Sequence, residues 1–168
     1  MNNIAIQLIT MFGIGRISKM PGTIASFVTC LFYFFCIILN VNLIVLLIIF
    51  LIVLILSIIF INRYSSNFAE IDSKEIVIDE FLGQSIPIFF LYYPIQKGDT
   101  ENAWLYLLVF FILFRFFDIL KPFPIYLIDK KMKNGLGVVL DDLLAGIYVI
   151  ITIALFGYFF GPLFDLTL

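Results

Sequence analysis

The sequence predicts an all-α fold, a polytopic membrane bundle of about five membrane-associated helices with its polar chemistry at the cytoplasmic face. Composition is the first reason. Of 168 residues 63% are hydrophobic and only 13% charged, and the mean hydropathy of +1.15 lies far outside the range of soluble globular domains. Apolar runs that recur near the roughly 20 residues needed to cross a bilayer are the second. A one-sided distribution of basic residues is the third.

The candidate membrane helices fall at about 23–39, 43–61, 76–93, 103–120 and 143–160. The second, LIVLLIIFLIVLILSIIFI, carries no charge. The third is interrupted by Asp79, Glu80, Gln84 and Pro87, so it spans partly or is shielded by its neighbours. The fourth carries Arg115 and Asp118 near its end. Tyr92, Tyr93, Trp104 and Tyr106 stand near helix ends, where aromatic side chains anchor to the interface, and YPIQKGDTEN reads as a loop. The chain forms one membrane-embedded domain over 1–168, with no internal repeat. MNNIAIQLITMFGIG lacks the basic start and small-residue cleavage site of a signal peptide. Cys30 and Cys36 sit in an apolar run on different helix faces, which argues against a disulfide or zinc framework. The net charge of -2 says little about partners; no nucleic acid is expected, and no protein partner is inferable.

Starting the first membrane helix in the cytoplasm puts Arg16, Lys19, Arg63, Lys74, Arg115, Lys121, Lys130, Lys131 and Lys133 inside and leaves Lys97 outside. The same orientation brings segments 13–26, 72–84 and 115–142, with most of the glycines, prolines and acids, to one face.

Five carboxylates then converge: Asp79, Glu80, Asp118, Asp141 and Asp142. The simplest account of the two adjacent pairs places them in first turns of helices, where the macrodipole favours an anion by roughly 0.3–1 kcal/mol. Asp118 does not fit it, because it lies near a helix C-terminus, although Arg115 and Lys121 at helical spacing offset its charge. Five like charges at one surface repel one another unless a cation joins them. With no histidine in the chain, the donors are hard oxygens, which select Mg²⁺ or Mn²⁺ and, less well, Ca²⁺. Mg²⁺ shares its shell with phosphate oxygens, so a phosphate group suits the substrate.

Anion-binding elements lie at the same face. FGIGRISKMPGTIAS places Gly13, Gly15, Arg16 and Lys19 before a helix start at which Gly22 or Thr23 serves as the cap, with free N–H groups able to receive phosphate. Its spacing is neither a P-loop nor a dinucleotide fingerprint. Lys121, three residues after Asp118 and followed by Pro122, is a candidate phosphate ligand. Lys130, Lys131 and Lys133 read as charges that meet anionic lipid.

Four stretches in order, FGIGRISKMPGTIAS, IVIDEFLGQ, FRFFDILKPFPI and GLGVVLDDLLAG, closely resemble the phosphatidylglycerophosphatase A family of bacterial membrane lipid phosphatases, over about residues 12–148. The resemblance implies a Mg²⁺-dependent phosphomonoesterase of the inner membrane, multi-pass, acting on phosphatidylglycerophosphate in the inner leaflet. It implies an active site of Asp79, Glu80, Asp118, Asp141 and Asp142, which serve both as catalytic groups and as metal ligands, with Lys121 and Pro122 in the matching FD…KP motif. Lys121, Arg16 and Lys19 would then neutralise the phosphoryl oxygens, beside Gly22 and Thr23. Ala25 stands where family members commonly have glycine, and Ser18 where a proline is often found. Phosphatase chemistry based on histidine, on a C-x5-R loop or on a D-x-D pair has no residues to support it here. The alternative from another class is a small divalent-cation or proton-coupled transporter, which would place its acids near the bilayer midplane between repeats.

Overall fold

The computed structural model describes residues 2–17, 19–64, 73–98 and 100–160, and among these every regular element is helical. In chain order they are α1 (Asn2–Ile9), α2 (Ile14–Ile17), α3 (Pro21–Ile38), α4 (Leu43–Tyr64), α5 (Ile78–Gly98), α6 (Ala103–Leu120), α7 (Ile125–Lys131) and α8 (Gly135–Phe160). Ser18 lies outside the described residues.

Among the described residues four helices, α3, α4, α6 and most of α8, are long and apolar enough to cross a membrane. The third expected span, α5, is long enough, but acids, glutamine and two internal prolines, Pro87 and Pro94, dilute its apolar character. Its polar positions face protein instead of lipid. α5 packs most extensively on α8 and next on α3, and it also touches α4 and α6, so Gln84, Ser85, Ile88 and Tyr92 are all fully buried along it. The outer helix α4 is its opposite, with Ile44, Leu47, Ile48, Leu51, Ile52 and Ile55 all exposed.

Three local expectations need correction. Residues 93–98 of the expected loop continue α5; the Tyr92 hydroxyl and Gln96 Nε2 both donate to the Val41 carbonyl, at 3.0 and 3.1 Å, and hold that end against the α3–α4 turn. Asp99, in the same stretch, lies outside the described residues. Tyr92 is therefore a core residue and not an interfacial anchor, whereas Tyr93 and Trp104 are exposed as interfacial residues should be.

The start of α3 is the second correction. Its N-cap is Met20, with Pro21 in the first turn, where a fixed φ and a missing N–H cost nothing. Gly22 and Thr23 are thus inside the helix.

The third concerns α8, which begins at Gly135, eight residues before the expected position. Asn134 Oδ1 accepts from the Gly137 N–H at 2.8 Å, an N-cap bond that nucleates the earlier start. Asn62 Oδ1 of α4 accepts from the Gly135 N–H at 2.7 Å and fixes the position of that helix end. Asp141 and Asp142 therefore sit in the second turn or beyond, not in the first.

Candidate active site

The five carboxylates reach one cavity of about 390 Å³, lined by Asp79, Glu80, Arg115, Asp118, Lys121, Asp141 and Asp142 together with Ser73, Lys74, Ile76 and Ile119. Three helices supply the carboxylates, at the start of α5, at the end of α6 and on α8, and Lys121 comes from the residue after α6. Asp79 and Glu80 occupy the first turn of α5, as the dipole argument expects. Val77, just before them, donates its N–H to the Ile9 carbonyl at 3.0 Å, so α1 helps to hold this turn.

Within the cavity the acids divide into two groups. Asp79, Glu80 and Asp142 each offer a carboxylate oxygen within 4.8 Å of the others. Asp118 and Asp141 are instead paired with cations. Arg115 Nη1 lies 2.5 Å from Asp118 Oδ2 and 3.9 Å from Glu80 Oε1. Lys121 Nζ donates to Asp141 Oδ2 at 2.7 Å and to Asp129 Oδ1 at 2.8 Å.

Lys121 reaches across because of its backbone. It caps α6 in the left-handed region, at φ 43°, with its N–H bonded to the Phe117 carbonyl. That conformation is unusual for a residue with a Cβ, and it turns the chain abruptly into Pro122 and α7. Burial pulls the Lys121 ammonium down, but the hydrogen bonds and charges of Asp129 and Asp141 outweigh it and hold the group above the ordinary lysine value. Lys121 stays protonated at neutral pH.

Gly22 faces the acids directly. A Cβ there would overlap Glu80 Oε1 and lie 3.2 Å from Arg115 Nη1, so this glycine makes room for a charged pair of the protein itself. Arg16 and Lys19 do not line the carboxylate cavity. They line a neighbouring one with Gly15, Pro21, Lys74 and Glu75, and Arg16 Nε donates to Glu75 Oε2 at 2.7 Å. Thr23 is half-buried in the first turn of α3, and Gly13 adopts φ 92° in the turn between α1 and α2.

Two participants escaped the sequence reading as site residues. Arg115 was visible only as a partner three residues before Asp118; its approach to Glu80 needs the α5–α6 packing. Asp129 had no local signal, because its role depends on α7 folding back under Lys121.

The grouped acids can hold a divalent cation. The donors are all oxygen, Glu80 Oε2 is buried with no hydrogen-bond partner, and both cysteines are buried on α3, where they do not line this cavity.

A sequence model of the phosphatidylglycerophosphatase A family matches residues 7–157. The chain is 36% identical over 148 residues to phosphatidylglycerophosphatase A of Haemophilus influenzae, covering 84% of this chain and 82% of that protein. It is 27% identical over 136 residues to the Escherichia coli protein of the same name, covering 81% and 73%. A Bacteroides thetaiotaomicron protein named "Putative phosphatidylinositol-3-phosphatase" is 36% identical over 103 residues, covering 60% of this chain and 58% of that protein. No solved structure matches the chain. The family match extends over the whole acidic cavity and the helices that build it, and the chain belongs to the phosphatidylglycerophosphatase A family of phosphatase enzymes.

Proposed function

We propose that the protein is a Mg²⁺-dependent phosphomonoesterase that releases the terminal phosphate of phosphatidylglycerophosphate, leaving phosphatidylglycerol, at the cytoplasmic face of a bacterial inner membrane. The observation that carries this reading is the grouping of Asp79, Glu80 and Asp142 within 4.8 Å in a cavity that also holds cations, in a chain of this family. Asp79, Glu80 and Asp142 would hold Mg²⁺. When bound, the ion polarises the phosphoryl group and lowers the pKa of a coordinated water.

The chain's own residues supply the rest. Lys121, fixed by Asp129 and Asp141, presents a permanent positive charge to the phosphoryl oxygens. Arg115 holds Glu80 and Asp118 in place, so that Glu80 keeps its position against the other two acids. Exposed apolar side chains beside the cavity, such as Ile119 and Leu120, support a position level with a lipid head group. The location of the acids at one end of the bundle favours a headgroup enzyme over a cation pathway, which needs them near the midplane.

The test is phosphate release from phosphatidylglycerophosphate in detergent, with and without Mg²⁺, for the wild type and Asp142→Asn. Metal-dependent turnover is expected, and the variant should lose at least about a hundredfold. Undiminished turnover with chelator would remove the metal, and full turnover by the variant would remove Asp142. Phosphatidylinositol 3-phosphate, assayed in parallel, should be the poorer substrate.

A further inference from the structure

The cavity beside the carboxylates has the opposite character. It measures about 510 Å³, and among the described residues that line it Arg16, Lys19 and Lys74 are cations and Glu75 is a carboxylate. Two segments distant in sequence are docked to form it. Gly15 lies so close to the Glu75 backbone that a Cβ would overlap its carbonyl, and the Arg16–Glu75 pair at 2.7 Å closes the contact. Lys74 lines both this cavity and the carboxylate cavity, so the two adjoin.

A cationic cavity next to a group of acids suits an anion that is not the one being cleaved. We propose that this cavity is a second anion subsite, which holds the phosphodiester of the lipid head group while the terminal phosphomonoester lies among the carboxylates. The proposal rests on the function proposed above and adds what selects the substrate: two phosphates joined by a short polyol. Phosphatidic acid, whose single phosphate is attached directly to diacylglycerol, cannot fill both cavities. The side chains of Arg16 and Glu75 are 51% and 43% exposed, so the attraction is wet, sensitive to salt and expressed in binding more than in the chemical step.

The test uses the full chain in mixed micelles with Mg²⁺, comparing phosphatidylglycerophosphate with phosphatidic acid for the wild type, Lys19→Gln and Arg16→Gln/Lys19→Gln. The double variant should raise KM for phosphatidylglycerophosphate about tenfold with kcat little changed, the signature of lost uniform binding. Its preference for phosphatidylglycerophosphate over phosphatidic acid should fall by about the same factor. Lys19→Gln leaves the Arg16–Glu75 pair intact, so a partial loss of preference in that variant does not come from undocking α2. Glycerophosphoglycerol, a diester with no monoester, should compete in the wild type and much less in the double variant. Equal losses on both lipids, or an unchanged preference, would overturn the subsite while leaving the phosphatase reading intact. A wild type that releases phosphate from neither lipid would overturn both.

Discussion

Gly83 of α5 and Gly146 of α8 face each other where the two helices cross: a Cβ on Gly146 would run into the Gly83 carbonyl, and one on Gly83 would lie 2.6 Å from the Asp142 carbonyl oxygen. Each glycine lies four residues after a grouped acid, Asp79 or Asp142, on the same helix face. Close approach of backbones through small residues is how membrane helices gain packing without a hydrophobic driving force. Here it also sets the distance between the two carboxylates one turn away.

Gly146→Leu should therefore impair the site without altering any residue that lines it. Overpacking at such a crossing costs about 1–3 kcal/mol, and the Mg²⁺ concentration giving half-maximal activity should rise because the acids are spread apart. A metal titration of phosphate release checks this. An unchanged midpoint with normal turnover would show that the crossing does not set the acid spacing.

Asp142→Asn should have opposite effects with and without metal. Asp142 is buried beside Asp79 and Glu80, so neutralising it relieves repulsion when no cation is present. The metal-free variant should melt higher, by on the order of 2–4 °C for each kcal/mol relieved. The wild type should gain Tm on adding Mg²⁺ by mass action, and the variant should gain little. Thermal melts in detergent with EDTA and with Mg²⁺ measure both effects.

Lys121 bridges Asp129 and Asp141, so its removal takes the shared cation from both carboxylates, with Lys133 at 3.9 Å from Asp129. Lys121→Met should cost stability and turnover together. Adding Asp129→Asn should recover part of the stability and none of the turnover, with a coupling of about 1 kcal/mol in the double-mutant cycle. Additive stability effects would mean that the two side chains do not interact in the working protein.

Topology is checked by reporters at the two ends of the bundle. Lys97 lies in the last turn of α5 and Asp79 in its first, about 27 Å apart along the axis. In cells, Lys97→Cys should react with an impermeant thiol reagent added outside, and Lys133→Cys should not. Background is low because Cys30 and Cys36 are both buried. Labelling of Lys133→Cys from outside would reverse the proposed orientation.

Much of the fold was legible because bilayer crossing is a property of local composition. The spans Leu43–Tyr64 and Ala103–Leu120 follow from apolar runs of the required length, and the helical alternation that gathers the acids at one end follows from counting them. Helix boundaries were less legible. The early start of α8 combines a local Asn134 cap with a bond from its first N–H to Asn62, 73 residues away, and α5 runs on because Tyr92 and Gln96 find the Val41 carbonyl. Neither Asn62 nor Val41 is a sequence neighbour of the group it meets.

The sequence by itself determined that this is a helical membrane protein with five acids and no nitrogen or sulfur ligands beside them, because residue chemistry and hydrophobic length need no third dimension. Only the tertiary structure decided which acids group and which are paired. Asp79, Glu80 and Asp142 come together through a glycine crossing of α5 and α8, Asp118 is taken by Arg115, and Asp141 by Lys121. Arg16 and Lys19 are set apart in a cavity of their own. Apart from the Arg115–Asp118 pair, which helical spacing already offered, those partitions depend on distances between helices, which side-chain packing fixes and which no spacing along one helix encodes.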